Sequence, residues 1–64
     1  MRETELWSRL RLLLGPVYTP VWAESVVHAS LGGRTVAQAL GAGLPVKQIW
    51  LAACASLEVP EKDR

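Results

Sequence analysis

The chain has 64 residues, half of them apolar, and its seven Lys and Arg against six Asp and Glu residues leave a net charge of +1. A chain of this size forms one small domain and buries only about 60% of the surface that its unfolded form exposes. So little net charge excludes a strong long-range attraction to nucleic acid or to an anionic membrane.

The cysteine content and the hydropathy pattern suggest where the protein acts. Cys54 is the only cysteine, so no internal disulfide can stabilise the fold. No apolar run approaches the roughly 20 residues of a membrane-spanning helix, and the charged start of the chain does not resemble a secretion signal. We therefore expect a cytoplasmic protein without a membrane segment.

The first predicted helix begins at Thr4, whose hydroxyl can cap the helix N-terminus. It ends at Gly15 and Pro16, because glycine tolerates a left-handed turn and proline cannot continue the helix. Its apolar residues recur at helical spacing; they are Leu6, Trp7, Leu10, Leu13 and Leu14.

The second predicted helix starts at Pro20 with Thr19 as its cap, or one turn earlier at Pro16. Both starts use proline in the first turn, where its missing N–H costs nothing. Gly32 and Gly33 end this segment. Its apolar residues are Trp22, Val26, Val27, Ala29 and Leu31.

Two further helices are predicted in the second half of the chain. Thr35 and Gln38 have the spacing of a capping box, which opens a short helix over about residues 36–42. Pro45 then opens a fourth helix, whose apolar stripe consists of Val46, Ile49, Trp50, Ala53, Cys54 and Leu57. Residues 61–64 are expected to form a frayed, charged tail.

The sequence therefore predicts an all-α fold, a small compact bundle of about four short helices in a single domain over residues 1–60. No strand-like alternation competes with this interpretation. The last two helices are predicted to meet in a corner that resembles a helix-turn-helix.

These landmarks together resemble a family of short actinobacterial proteins catalogued as domain of unknown function three-zero-four-six. The matching residues are 4–7, Gly15, Tyr18, 31–35, Ala39, Leu40, Gly43, Trp50, Cys54, Val59 and Pro60, of which 31–35 (Leu-Gly-Gly-Arg-Thr) is the most specific part. The resemblance implies no established activity. It implies a link to DNA repair or recombination only because such proteins are often encoded near recombinase A and its regulator. This chain departs from the family pattern at Pro20 and at Leu51, where members often carry a charge.

DNA binding is the alternative that the predicted corner raises, through Lys47, Gln48 and Arg34. A recognition helix presents polar side chains to base edges, but the outer face of the fourth helix otherwise offers Leu51 and alanines. Specific binders commonly make about 6–10 phosphate contacts, and the whole chain has seven Lys and Arg residues. Weak or partner-assisted binding is therefore the disfavoured alternative.

We expect no catalytic site, metal site, cofactor or small-molecule substrate. The chain has one histidine, His28, and one cysteine, which fall short of the three or four protein ligands that zinc takes. A Cys–His pair would also need a third group to orient the imidazole. Cys54 is expected to be a small buried apolar residue, and His28 is expected to meet backbone carbonyls or solvent.

Arg34 precedes a helix N-terminus, where the helix dipole does not favour a cation. Two interpretations stay open from the sequence. The side chain could hydrogen-bond carbonyls that end the preceding segment, or it could contact a carboxylate or phosphate of a partner.

The tryptophans and two outward-facing leucines favour a protein-interaction module, which could also self-associate. At least two of Trp7, Trp22 and Trp50 are expected in the core, but a domain this small struggles to enclose all three. The predicted partner-binding residues are Leu12, Arg34, Lys47, Gln48 and Leu51. A contiguous apolar patch would support a protein partner, and a cluster of cations would support DNA.

Overall fold

The computed structural model describes all 64 residues as an all-α fold, as predicted. Four α-helices and two 3₁₀ turns follow one another along the chain. They are α1 (Glu3–Leu14), α2 (Tyr18–Ser25), the first 3₁₀ turn (Ala29–Leu31), α3 (Val36–Gly41), α4 (Val46–Leu57) and the second 3₁₀ turn (Glu61–Asp63).

Helix α1 begins one residue before Thr4, so the predicted Thr4 cap is wrong. Arg2 takes the N-cap position without a side-chain hydrogen bond, and its main-chain oxygen accepts from the N–H of Leu6 at 3.1 Å. Acidic residues in the first turn favour this start, since they complement the positive end of the helix dipole. The predicted end is confirmed: Gly15 has a φ of 85°, which glycine adopts without a steric penalty.

Helix α2 starts at Tyr18, between the two predicted starts, and places Pro20 in its first turn. The predicted cap at Thr19 is wrong, because this residue is buried and its Oγ1 donates to the main-chain oxygen of Gly15 at 2.6 Å. That bond ties the start of α2 to the end of α1. The helix also ends at Ser25, well before Gly32, because Val26 is extended.

Main-chain hydrogen bonds to His28 hold the loop between α2 and α3 together. The N–H of His28 donates to the oxygen of Arg34 at 3.0 Å, and its own oxygen accepts from Leu31 and Gly33 at 3.0 and 3.1 Å. Gly32 ends the first 3₁₀ turn in the left-handed conformation, with φ 73° and ψ 30°. Residues 31–35 therefore belong to a folded loop and not to the end of an α-helix.

The last two helices are joined by a short connection over residues 42–45. The capping box is confirmed, with Gln38 N–H to Thr35 Oγ1 at 3.1 Å and Thr35 N–H to Gln38 Oε1 at 3.0 Å. Pro45 precedes α4, as predicted, and the helix ends at Leu57 before the left-handed Glu58.

The core is formed by thirteen buried apolar residues from all four helices, the first 3₁₀ turn and Val59. Trp22 and Trp50 belong to it, and Trp7 packs half-buried against it, which confirms the prediction of at least two core tryptophans. Leu13 and Val27 were assigned to apolar stripes, but they are 47% and 59% exposed.

The predicted tail, residues 61–64, contains a short helical turn and contacts the rest of the chain. Glu61–Asp63 form a 3₁₀ turn, although their side chains are exposed. Arg64 Nε donates to the oxygen of Val59 at 2.8 Å, and Trp50 Nε1 donates to the oxygen of Arg64 at 3.3 Å. A buried indole N–H usually finds an acceptor, and here the tail supplies it.

Candidate binding surfaces

The first groove lies between the second half of α1 and the C-terminal segment, with a cavity volume of about 690 Å³. Its apolar rim includes Leu12, which is 87% exposed, and its lining includes an edge of Trp50. Charges of both signs surround it; they are Arg9, Glu58, Lys62, Asp63 and Arg64. The groove therefore has no dominant charge.

The second groove lies between α4 and the first 3₁₀ turn, with a cavity volume of about 440 Å³. It brings together three predicted partner-binding residues, Lys47, Gln48 and Leu51, beside Ser30 and two alanines of α4. Leu51 is 41% exposed there. Leu12 lines the other groove, so the structure separates the two predicted leucines instead of joining them in one cavity.

Arg34 hydrogen-bonds a carbonyl of the preceding segment, which is the first of the two interpretations left open by the sequence. Its Nη1 donates to the main-chain oxygen of Leu31 at 3.0 Å, which satisfies a carbonyl at the end of the first 3₁₀ turn. The side chain thus helps to hold its own loop closed.

The cations that the DNA hypothesis needs are dispersed among different surroundings. Arg9 bonds Glu5 at 2.8 Å and its guanidinium carbon lies 5.4 Å from the centre of the Trp50 ring. Lys47 lines the second groove, and Arg34 bonds its own loop. Neither groove brings Arg9, Arg34 and Lys47 together. A phosphate-binding face requires clustered cations.

The outer face of α2 is an exposed apolar surface that the sequence reasoning missed. We define it as Val17, Tyr18, Pro20, Val21 and Glu24, all exposed, with Val17 at 86%, Tyr18 at 52% and Val21 at 56%. The opposite side of the helix is in the core and consists of Thr19, Trp22 and Ala23. The outer side is therefore apolar up to Val21 and polar only at Glu24 and Ser25, a signal that is already present in the sequence.

His28 and Cys54 are both buried, so neither is offered to a ligand at the surface. His28 is 5% exposed, its ring centre lies 5.3 Å from that of Trp22, and its Nε2 has no hydrogen-bond partner. This differs from the expected contact with carbonyls or solvent. Cys54 is fully buried, as expected, and burial raises the pKa of its thiol against the opposing influence of Arg64, Arg9 and Lys47.

A family model described as a protein of unknown function, DUF3046, matches residues 1–62. The chain belongs to the DUF3046 family. The match runs into the second 3₁₀ turn and ends two residues before Arg64, whose oxygen is the acceptor for Trp50. Neither a curated protein nor a solved structure matches the chain. The helices are all too short or too polar to cross a membrane.

We expect acid to destabilise the fold because His28 is buried. Burial lowers the pKa of His28 below its usual 6.5 in the folded state, so below pH about 6.5 the unfolded chain binds a proton more readily than the folded chain. We expect the free energy of unfolding to be highest above this pH and to fall as the pH drops from about 7.5 to 5.5.

Urea unfolding at these two pH values measures the effect, and His28→Gln is the control, since His28 is the only histidine. The difference between the two pH values should shrink in the variant. An NMR titration that places the pKa of His28 at or above its ordinary value would contradict the prediction.

Proposed function

We propose that this chain is a small, non-enzymatic protein-interaction module that binds its partner through the outer face of α2. The observation that carries the proposal is that the exposed side of α2 is mostly apolar, although its other side is already in the core. A surface helix normally carries polar or charged residues opposite its buried stripe, but Tyr18, Pro20 and Val21 are exposed here and the polar Glu24 and Ser25 stand only at the helix end. A partner that covers the outer face would remove these apolar side chains from water.

The chemistry of the outer face favours protein over nucleic acid as the partner. The face carries no cation, and its single charge is the carboxylate of Glu24. Interface cores are depleted in charged residues and enriched in aromatic ones, which fits a face built of valines, proline and Tyr18. Phosphate-binding surfaces instead depend on Lys and Arg.

The proposal places the module in the cytoplasm. Its only cysteine, Cys54, is free and fully buried. Free thiols persist in reducing compartments, whereas small secreted domains usually depend on disulfides. Partner binding, rather than covalent cross-linking, is then the route to further stabilisation.

Site-specific photo-cross-linking in native cells tests the proposal. A photoreactive side chain at Val21, on the outer face, should give a discrete cross-linked product. The same side chain at Ser56, which is exposed on α4 and lies outside both grooves, should not. Equal labelling from the two positions, or no product at Val21, would contradict a partner on this face.

A further inference from the structure

The two ends of the outer face carry opposite and unpaired polar groups. At the start of α2, the main-chain N–H groups of Val17 and Tyr18 make no hydrogen bond, and the first turn holds no acidic residue and no side-chain cap. Near the end of the helix, Glu24 is exposed and forms no ion pair within the chain. The helix dipole makes the start of α2 partly positive. The start of one helix therefore attracts a carboxylate such as that of Glu24.

This pattern fits a second copy of the same face. Resting on the proposed function, we infer that the partner of the outer face is another copy of this chain, packed antiparallel around a two-fold axis. In that arrangement the Glu24 carboxylate of each copy lies over the start of α2 in the other copy. The valines between the ends then pack on each other. A parallel arrangement would instead bring the two Glu24 carboxylates together.

Symmetry supports this choice over an unrelated partner. A two-fold interface joins the same patch on both copies, so the patch must complement itself. The outer face does so, because its centre is apolar and its ends differ in sign. From Val17 to Glu24 the face extends about 10 Å at the usual 1.5 Å rise per residue, a span that two antiparallel copies cover in full.

The size of the face sets the expected strength of the dimer. The chain exposes 4000 Å², about the area of a compact monomer of its mass, so the fold is complete without a partner. A standard interface takes about 800 Å² from each copy, a fifth of this surface, and a face of one short helix supplies less. We therefore expect a weak, concentration-dependent dimer whose monomer stays folded.

Sedimentation equilibrium over about a hundredfold range of concentration tests the inference. Wild type should show a monomer–dimer equilibrium. Val17→Asp should weaken it at least tenfold, because the new carboxylate meets Glu24 of the other copy. Val27→Asp is the matched control, since Val27 is also an exposed valine, at 59%, but lies outside the outer face and both grooves, and this variant should dimerise like wild type.

A charge exchange tests the antiparallel pairing itself. Glu24→Lys alone should weaken the dimer, and the double variant Val17→Asp/Glu24→Lys should recover most of the lost affinity, because opposite charges again face each other. Circular dichroism confirms that each variant is folded. A failure of the double variant to recover would overturn the antiparallel arrangement.

Monomeric wild type at every concentration would overturn the second-copy inference. If Val21 then still forms its discrete cross-link in cells, to a protein other than this chain, the proposed function stands without the inference. If that cross-link is also missing, both fail.

Discussion

Replacing Trp50 with alanine should lower the free energy of unfolding by about 3–5 kcal/mol, as expected for a buried tryptophan. Trp50 is 2% exposed in the core, its Nε1 donates to the oxygen of Arg64 at 3.3 Å, and the Arg9 guanidinium lies over its ring. The variant therefore loses packing against the core and releases the tail. A domain of this length has only about 3–10 kcal/mol of stability, so much of the variant should be unfolded at 25 °C.

Leu51 provides the control for this experiment at the next position of the same helix. It is 41% exposed, so Leu51→Ala removes a side chain that is only partly buried and should lower the free energy of unfolding by about 1 kcal/mol. Urea unfolding followed by far-UV circular dichroism measures both variants. Similar stabilities for the two would show that Trp50 does not anchor the core.

The sequence predicted the parts of the fold that depend on local chemistry. The capping box at Thr35 and the proline before α4 act within one helical turn, and both are confirmed. The starts of α1 and α2 were wrong because a residue with the chemistry of a cap need not occupy the cap position. Thr4 and Thr19 both lie inside their helices. The Thr19 hydroxyl bonds the main-chain oxygen of Gly15, four residues earlier, as threonines within helices can do.

The binding surfaces were predictable only in part. Helical spacing placed Leu12 and Leu51 on outward faces, and both are exposed. Whether two exposed residues share a groove depends on the packing of helices far apart in the chain, which puts these two in different grooves. The outer face of α2 was missed because the helix was predicted to start at Pro20 or Pro16 and to run to the glycines. Its apolar stripe was drawn through Trp22 and Val26, and the apolar residues on the other side of the shorter helix were not considered.

Arg34 was a candidate partner contact, and Gly32 provides a test of its role within the loop. A Cβ at Gly32 would lie 2.6 Å from Arg34 Nη1, and the φ of 73° is a conformation that other residues adopt at a cost. Gly32→Ala should therefore lower the free energy of unfolding by about 2–3 kcal/mol. Of this, about 1–2 kcal/mol is the cost of the left-handed conformation, and about 1 kcal/mol is the hydrogen bond to Leu31 that Arg34 must give up.

A double-mutant cycle with Arg34→Ala separates the two contributions. In the Arg34→Ala background no guanidinium blocks the new methyl group, so Gly32→Ala should cost only the conformational part, about 1–2 kcal/mol. Urea unfolding of the four proteins in the cycle gives the coupling between the two residues. A coupling near zero would mean that the Arg34 bond to Leu31 adds nothing to the stability of the loop. The guanidinium would then be available to a partner, as its second interpretation from the sequence requires.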